Sequence, residues 1–173
     1  KVTFKPDIRV FQNGISFNYD TLADRLQEIA FLNSGLKVSI KDERTGASDV
    51  FHYEGGASQF VQFLNENKTV LHDVIHFAGE KDEIEVEIAF QYNDGYTETI
   101  VSFVNSIPTR GGGTHETGFK TAYTRVMNDY ARKVGLLKEK DKNLDGNDLR
   151  EGMIVVINTK MAEVEFVGQT KDQ

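Results

Sequence analysis

Cysteine is absent from this sequence of 173 residues, which excludes a disulfide framework, a thiolate metal site and a cysteine nucleophile. No apolar run approaches the ~20 residues of a membrane-spanning helix, and the first residues do not resemble a signal peptide. Acidic side chains outnumber cationic ones, and the resulting net charge of −7 argues against general attraction to nucleic acid or anionic lipid. We expect a cytoplasmic protein without a membrane partner.

The hydrophobic content of 39% suits one ordinary domain, and no repeat or change of composition marks a boundary. We therefore predict a single domain over residues 1–173. Because the first residue is Lys1 rather than Met and lies in a predicted strand, we expect an excerpt of a longer protein.

The most regular pattern lies between Gly111 and Gly135 and predicts one long helix with Thr114 as its N-cap. Apolar residues at three- and four-residue steps are expected to face the core: Phe119, Ala122, Tyr123, Val126, Met127, Tyr130 and Val134. The expected solvent face carries Lys120, Thr124, Arg125, Asn128 and Arg132.

Shorter patterns predict the remaining elements. Helices are expected from Asp20 to Asn33 and after Gly55-Gly56. Strands are expected at residues 2–4, 36–40, 51–53, 72–77, 84–90, 96–105, 153–157 and 163–166. The strands at 36–40 and 51–53 are expected to form a hairpin, as are those at 84–90 and 96–105, across Asn93-Asp94-Gly95. The run at 153–157 is apolar throughout and predicts a strand buried on both faces.

Three near-matches to ligand-binding motifs fail on spacing. Phe119 separates Gly118 from the lysine that a P-loop requires directly after its second glycine. Residues 141–146 imitate the start of a calcium loop, but the closing acid falls one place early, at Glu151, so a solvated turn before a short helix is preferred. Residues 72–76 imitate a zinc helix, but in a strand the two imidazoles would lie about 13 Å apart, so surface histidines are preferred.

The last residues include Gly168-Gln169-Thr170-Lys171. A lysine just after a strand end, with an amide donor beside it and a glycine that permits close backbone approach, suits a terminal phosphate. On chemistry alone, ordinary surface residues in a tail are the preferred interpretation.

Short motifs occur along the whole chain at residues 6–7, 25–33, 52–56, 92–96, 112–116, 150–152 and 168–171. In their sequence and their order they resemble one family, the ATPase subunits of bacterial type IIA topoisomerases (the B subunit of DNA gyrase and the E subunit of topoisomerase IV). Gly111 and Met153-Ile154 depart from the usual family pattern, which affects the subfamily assignment more than the role. The resemblance identifies the chain as the transducer domain, which follows the ATP-binding GHKL domain in that family.

The resemblance implies an α+β fold in which helices cover one face of a mainly antiparallel sheet, similar to the second domain of MutL. It implies that Gln169 and Lys171 contact the γ-phosphate of ATP, with Lys171 catalytic, while ATP and Mg²⁺ are held mainly by the preceding domain. A fragment without that domain is expected to be inactive. Implied partners are a DNA duplex, the DNA-cleaving A-type subunit (gyrase A or the C subunit of topoisomerase IV) and a second ATPase subunit when ATP is bound.

Two alternatives stay open. The first is a non-catalytic nucleic-acid-binding module, in which basic residues on or near the long helix would face a DNA duplex: Arg110, Lys120, Arg125, Arg132 and Lys133. The second is a MutL-type repair ATPase domain, although the motifs at residues 53–56 and 112–116 fit the topoisomerases better.

Overall fold

A computed structural model describes residues 1–11 and 14–171 of the chain. They form an α+β fold, as predicted. In chain order the elements are α1 (Tyr19–Leu32), β1 (Lys37–Lys41), β2 (Ser48–His52), α2 (Gly56–Leu64), β3 (Ile75–Lys81), β4 (Ile84–Tyr92), β5 (Thr99–Val104), β6 (Ile107–Pro108), α3 (Thr114–Lys133), α4 (Gly146–Arg150) and β7 (Met153–Met161). No helix in this described part of the chain is long and apolar enough to cross a membrane.

The main sheet has five strands in the order β3-β4-β7-β5-β6. β7 lies at its centre, antiparallel to β4 and parallel to β5, and the other pairings are antiparallel. Residues 153–159 of β7 are all buried, which confirms the prediction of a strand covered on both faces. The predicted mainly antiparallel sheet is confirmed as well.

The predicted hairpin across Asn93-Asp94-Gly95 is wrong, because β7 separates β4 from β5. The backbone N–H of Asn93 donates to the carbonyl of Gly152, and Asn93 also bridges to Val70. An apolar strand such as β7 gains most burial between two other strands, and this non-local gain outweighs the local turn preference of three residues.

Both faces of the main sheet carry a hydrophobic cluster, because neighbouring side chains of β4 point to opposite sides. Ala89 joins the cluster beneath α1 and α2. Ile88 and Phe90 join a second cluster with Phe119 of α3. The sequence predicts helices on one face; α1 and α2 follow that arrangement, whereas α3 lies on the opposite face, because the apolar residues of β4 and β7 need cover on both sides.

The hairpin of β1 and β2 is confirmed and forms a two-stranded sheet of its own. It is joined to α1 through Tyr53, whose ring stacks on Phe31 with centroids 3.7 Å apart and whose hydroxyl accepts a hydrogen bond from Gln27. The N-cap of α1 is Asn18 rather than Asp20, because the Asn18 side chain accepts a backbone N–H of the first turn.

The long helix α3 is confirmed, although Thr114 is its first residue and Gly113 its N-cap. Its buried face differs from the predicted one. Asn128, expected in solvent, is buried because its amide bonds both the N–H and the carbonyl of Leu144, in the segment that leads to α4. Four residues expected in the core are exposed: Ala122, Val126, Tyr130 and Val134.

Three strand predictions are corrected. Val2 and Phe4 are 90% and 74% exposed and form no strand, and residues 163–166 are irregular. The strand predicted from residue 72 begins only at Ile75. Alternation of apolar residues does not by itself make a strand, because the backbone also needs a hydrogen-bonded neighbour.

Candidate functional site

The Gly-Gln-Thr-Lys segment forms an exposed turn beyond the end of β7, which we call the 168–171 loop. Gly168 has a φ of +78° and Lys171 a φ of +59°, both in the left-handed region. For lysine this conformation costs roughly 1–2 kcal/mol. The loop therefore turns sharply at both ends and leaves Gln169 and Lys171 exposed to solvent.

The ammonium group of Lys171 lies 5.5 Å from the centroid of the Phe166 ring. An exposed cation–π contact of this kind contributes only about 0.5–1 kcal/mol. Within residues 1–11 and 14–171, Lys171 forms no ion pair with an acidic group.

The five basic residues predicted to face DNA lie in different environments. Lys120 donates to Glu116 at 2.7 Å, one helical turn away. Arg132 donates to the carbonyl of Asp141 and to the side chain of Asn143. The other three are exposed and form no ion pair within the described residues: Arg110, Arg125 and Lys133.

Two of the family-like motifs meet beside the end of β4, where residues 92–95 contact residues 149–152. We call this contact the buried junction, because Asn93, Arg150 and Gly152 are buried in it. A side chain on Gly152, whose φ is +75°, would place its Cβ 2.6 Å from the Gly95 carbonyl oxygen. Arg150 is only 6% exposed, and its guanidinium donates to Glu98 at 2.6 Å and to Asn147 at 3.0 Å. Only glycine fits at position 152 without displacing backbone.

Tyr92 extends the buried junction towards α3. Its hydroxyl donates to the carbonyl of Leu149 and lies 2.7 Å from the hydroxyl of Tyr123, which therefore donates to it. Burial raises the pKa of Tyr92 far above its ordinary value, with further contributions from Tyr123, and burial also raises the pKa of Tyr123. Both hydroxyls are held in the neutral, donating form.

Three buried amides complete the buried junction. Asn65 donates to Gln91, and Asn93 donates to Asn65, each at 3.0 Å. Gln91 in turn donates to the carbonyl of His72, and His72 Nε2 accepts the N–H of Tyr92. The sequence analysis does not predict this network, because hydrophobic periodicity gives no signal for which distant polar side chains will be buried together.

A second polar cluster lies where α3 begins, at the motif of residues 112–116. The Thr109 hydroxyl lies 2.9 Å from His115 Nε2 and 2.8 Å from the Ser102 hydroxyl. Burial lowers the pKa of His115, partly opposed by Glu116. The cluster fastens the start of α3 to β5, a role that sequence spacing did not indicate.

The residues of the metal-like motifs have structural partners. Asp145 caps α4, and Asp141 accepts the N–H of Lys138. His76 Nε2 lies 3.1 Å from Glu87, whereas His72 serves the buried junction. Within the described ranges, no three His, Asp or Glu side chains are placed to share a metal ion.

Comparison with known proteins gives the same family as the sequence motifs. The family model for DNA gyrase B matches residues 56–173. The B subunit of DNA topoisomerase 4 from Staphylococcus epidermidis is 54% identical over 177 residues, an alignment that covers 100% of this chain and 27% of that protein. The chain thus spans about a quarter of the length of the curated relatives it matches.

Solved structures give the same result. The 43K ATPase domain of Thermus thermophilus gyrase B, in complex with an aminocoumarin, is 40% identical with a TM-score of 0.79; the match covers 95% of this chain and 45% of that one. The B-subunit of DNA gyrase from Myxococcus xanthus is 25% identical with a TM-score of 0.81, over 96% of this chain and 47% of that one. Because the family model matches more than half of the residues, the resemblance is confirmed and this chain belongs to the DNA gyrase B family, the B subunits of type IIA topoisomerases.

Proposed function

We propose that this chain is the transducer part of an ATP-dependent type II DNA topoisomerase. In this proposal Gln169 and Lys171 contact the γ-phosphate of ATP bound by the preceding domain, and Lys171 is catalytic. The observation that carries the proposal is the exposed 168–171 loop, whose lysine ends a sharp turn beyond the central strand and makes a weak contact with Phe166.

The loop chemistry fits a terminal phosphate. The Lys171 ammonium supplies a full positive charge and three N–H donors, and the Gln169 amide supplies an oriented neutral donor. ATP would supply the phosphoryl group that is transferred to water. Lys171 would stabilise negative charge on the phosphate oxygens, and loss of the phosphate would release the loop and change its position relative to the preceding domain.

The remaining parts of the proposal concern the whole protein. Mg²⁺ and most contacts to ATP belong to the preceding domain, a second ATPase subunit joins when ATP is bound, and DNA is cleaved by the A-type subunit. The single domain over residues 1–173 is also proposed. It is supported by the packing of α1 on α2, where the Phe31 and Phe60 rings stack with centroids 4.7 Å apart, although the matched family region begins at Gly56.

ATP turnover of the full-length protein tests the role of Lys171. We expect Lys171→Ala to lower kcat by a factor of about 100 or more, the scale seen when one transition-state donor is removed. Lys160→Ala is the matched control, because Lys160 is an exposed lysine near the end of β7, the strand that precedes the loop. Turnover that is equal in the two variants would show that Lys171 is an ordinary surface residue.

The comparisons do not favour the MutL alternative, because the relatives are named as topoisomerase or gyrase subunits. The nucleic-acid interface stays a proposal for Arg110, Arg125 and Lys133, the exposed members of the predicted set. Their joint replacement by glutamine should reduce the slope of log affinity for duplex DNA against log salt by up to about three. An unchanged slope would show that these three residues do not contact DNA phosphates.

A further inference from the structure

The strand β3 forms one edge of the main sheet and is exposed along its whole length. Within residues 1–11 and 14–171 it pairs only with β4, so no strand lies beside the N–H and carbonyl groups of its outer side. Natural edge strands are commonly kept very short or interrupted by proline or a bulge, which prevents pairing with another chain. β3 has seven residues without a proline, and all seven pair with β4 in an unbroken register. It therefore offers a regular edge to a further strand.

Two apolar side chains of β3 lie beside this edge. Ile75 is 46% exposed and Phe77 is 48% exposed. Phe77 lies on the same face of the sheet as Ile88, because directly opposed residues of an antiparallel pair share a face. A cavity of about 440 Å³ opens beside Phe77, with Gly79 and Val86 in its lining. An added Cβ at Gly79 would meet no atom within 4 Å, so there is space for an apolar side chain from outside the chain.

The sequence of β3 is complementary in shape to a second copy of itself. Two antiparallel copies of a strand over residues 75–81 pair along their whole length only when the middle residue, Ala78, stands opposite Ala78 of the second copy. This register would place Phe77 opposite Gly79 and diagonal to the Phe77 of the second copy, about 7–8 Å away and within reach of an aromatic ring. Each Phe77 ring would then cover the glycine of the other copy and fill the cavity beside it. An aromatic ring over a glycine is a known way to stabilise a strand pair.

The charges of β3 match in the same register. Glu80 would stand opposite His76 of the second copy, and the lysine that ends β3 would stand opposite an isoleucine, so no like charges oppose one another. Within the single chain, by contrast, Glu80 stands opposite Glu85 of β4, an unfavourable pair of like charges. His76 Nε2 already lies 3.1 Å from Glu87, and a protonated imidazole has a second N–H donor and a positive charge for Glu80. A second copy would therefore reduce the repulsion between carboxylates at this edge.

We propose that two copies of this chain associate through β3, with the two strands antiparallel about a two-fold axis at Ala78. The contact joins the two main sheets into one continuous sheet, and each copy supplies the same surface. It does not rest on the role of Lys171, and it forms without nucleotide. Because one strand pair with a few side chains buries less than about 1,200 Å², we expect a weak and reversible contact.

Sedimentation equilibrium of the chain without nucleotide tests the proposal, over chain concentrations from about 10 µM to 1 mM. We expect a monomer–dimer equilibrium in this range. Ala78→Lys should weaken the dimer about fivefold or more, because two lysines would stand directly opposite each other at the axis. Ala78 is exposed, so the variant should fold, and circular dichroism checks this. Ala122→Lys is the matched control, since this alanine is exposed on α3, away from β3, and its dimer should be as strong as that of the parent chain.

A pair of opposite charges tests the axis directly. Ala78→Glu should also weaken self-association, because two glutamates would then be opposed. An equimolar mixture of Ala78→Lys and Ala78→Glu should form a heterodimer more tightly than either variant forms its own dimer, since a lysine then stands opposite a glutamate. The proposal would be overturned by a parent chain that stays monomeric throughout the range, by equal weakening in Ala122→Lys, or by a mixture that associates no better than its components.

Discussion

The buried junction and the 168–171 loop both carry motifs of the DNA gyrase B family, yet they lie in opposite environments. In the junction, the side chains of Arg150, Tyr92 and Asn93 are paired with partners inside the chain. In the loop, Gln169 and Lys171 are exposed. In this chain, therefore, the motifs of the junction fix the framework, whereas the motif of the loop leaves its polar side chains in solvent.

The largest effect on stability is expected at Gly152, where a Cβ would collide with two backbone carbonyl oxygens at a positive φ. Gly152→Ala should lower the free energy of unfolding by roughly 3 kcal/mol or more, measured by urea unfolding. Gly118→Ala is the control, because this glycine lies inside α3 with nothing near its missing Cβ. In the control, the free energy of unfolding should rise by about 0.5–1 kcal/mol. Equal effects would mean that the junction is not tightly packed.

Arg150→Met should lower the free energy of unfolding by about 2 kcal/mol, because Glu98 would be left partly buried without its cation. Lys120→Met, which removes a more exposed pair with Glu116, should cost less than about 1 kcal/mol. The two unfolding curves are compared at the same pH and salt. If Lys120→Met lowers the free energy of unfolding more than Arg150→Met does, the buried junction does not contribute more to stability than the pair on α3.

Tyr92→Phe should cost about 1 kcal/mol at neutral pH, because the hydroxyl that serves Leu149 and Tyr123 is lost. The tyrosine pKa values also predict an alkaline effect. Because the folded pKa values of Tyr92 and Tyr123 lie above the ordinary 10.0, the folded chain keeps protons that the unfolded chain releases. The stabilisation that these two tyrosines contribute is thus fully present below pH 10, and it is lost as the pH rises above that value. Unfolding measured from pH 8 to 11 should show a shallower fall in Tyr92→Phe, and an identical slope would contradict this account.

Asn158→Leu should raise the free energy of unfolding, measured by urea unfolding, by about 1 kcal/mol. An apolar side chain of similar size would replace the amide oxygen of Asn158, a buried acceptor for which the described residues provide no donor. A loss of stability would indicate that Asn158 serves the framework, as the junction residues do.

The smallest effect on stability is expected in the loop itself. Lys171→Ala should change the free energy of unfolding of this chain by less than about 0.5 kcal/mol, as for most exposed positions. Thermal unfolding of the Lys171→Ala variant and of the parent chain, compared under the same conditions, measures this change. A loss comparable to that of Arg150→Met would mean that the loop belongs to the framework, and the comparison of the two regions would fail.

Local patterns predicted the elements whose neighbours are close in sequence. The hairpin of β1 and β2, the helix α2 after Gly55 and the existence of α3 all follow from turn chemistry and periodicity. The fully apolar run of β7 also predicted its burial on both faces. The motifs identified the family and named the loop residues, whose role in ATP turnover stays a prediction.

Predictions failed where a distant segment decided the outcome. The turn at residues 93–95 resembles a hairpin turn, but β7, some sixty residues later in the chain, takes the place beside β4. Val126 and Tyr130 continue the apolar stripe of α3, yet the sheet reaches only the part of the helix near Phe119. Asn128 is polar, yet the segment before α4 covers it.

By itself the sequence determined the α+β class, the central strand, the long helix and the family, because these rest on hydrophobic periodicity and on motif order. Only the tertiary structure decided the strand order, the face of α3 that is buried and the amide network of Asn65. The physical reason is that periodicity records which side of an element is apolar, whereas its neighbours are set by the summed burial of the whole chain.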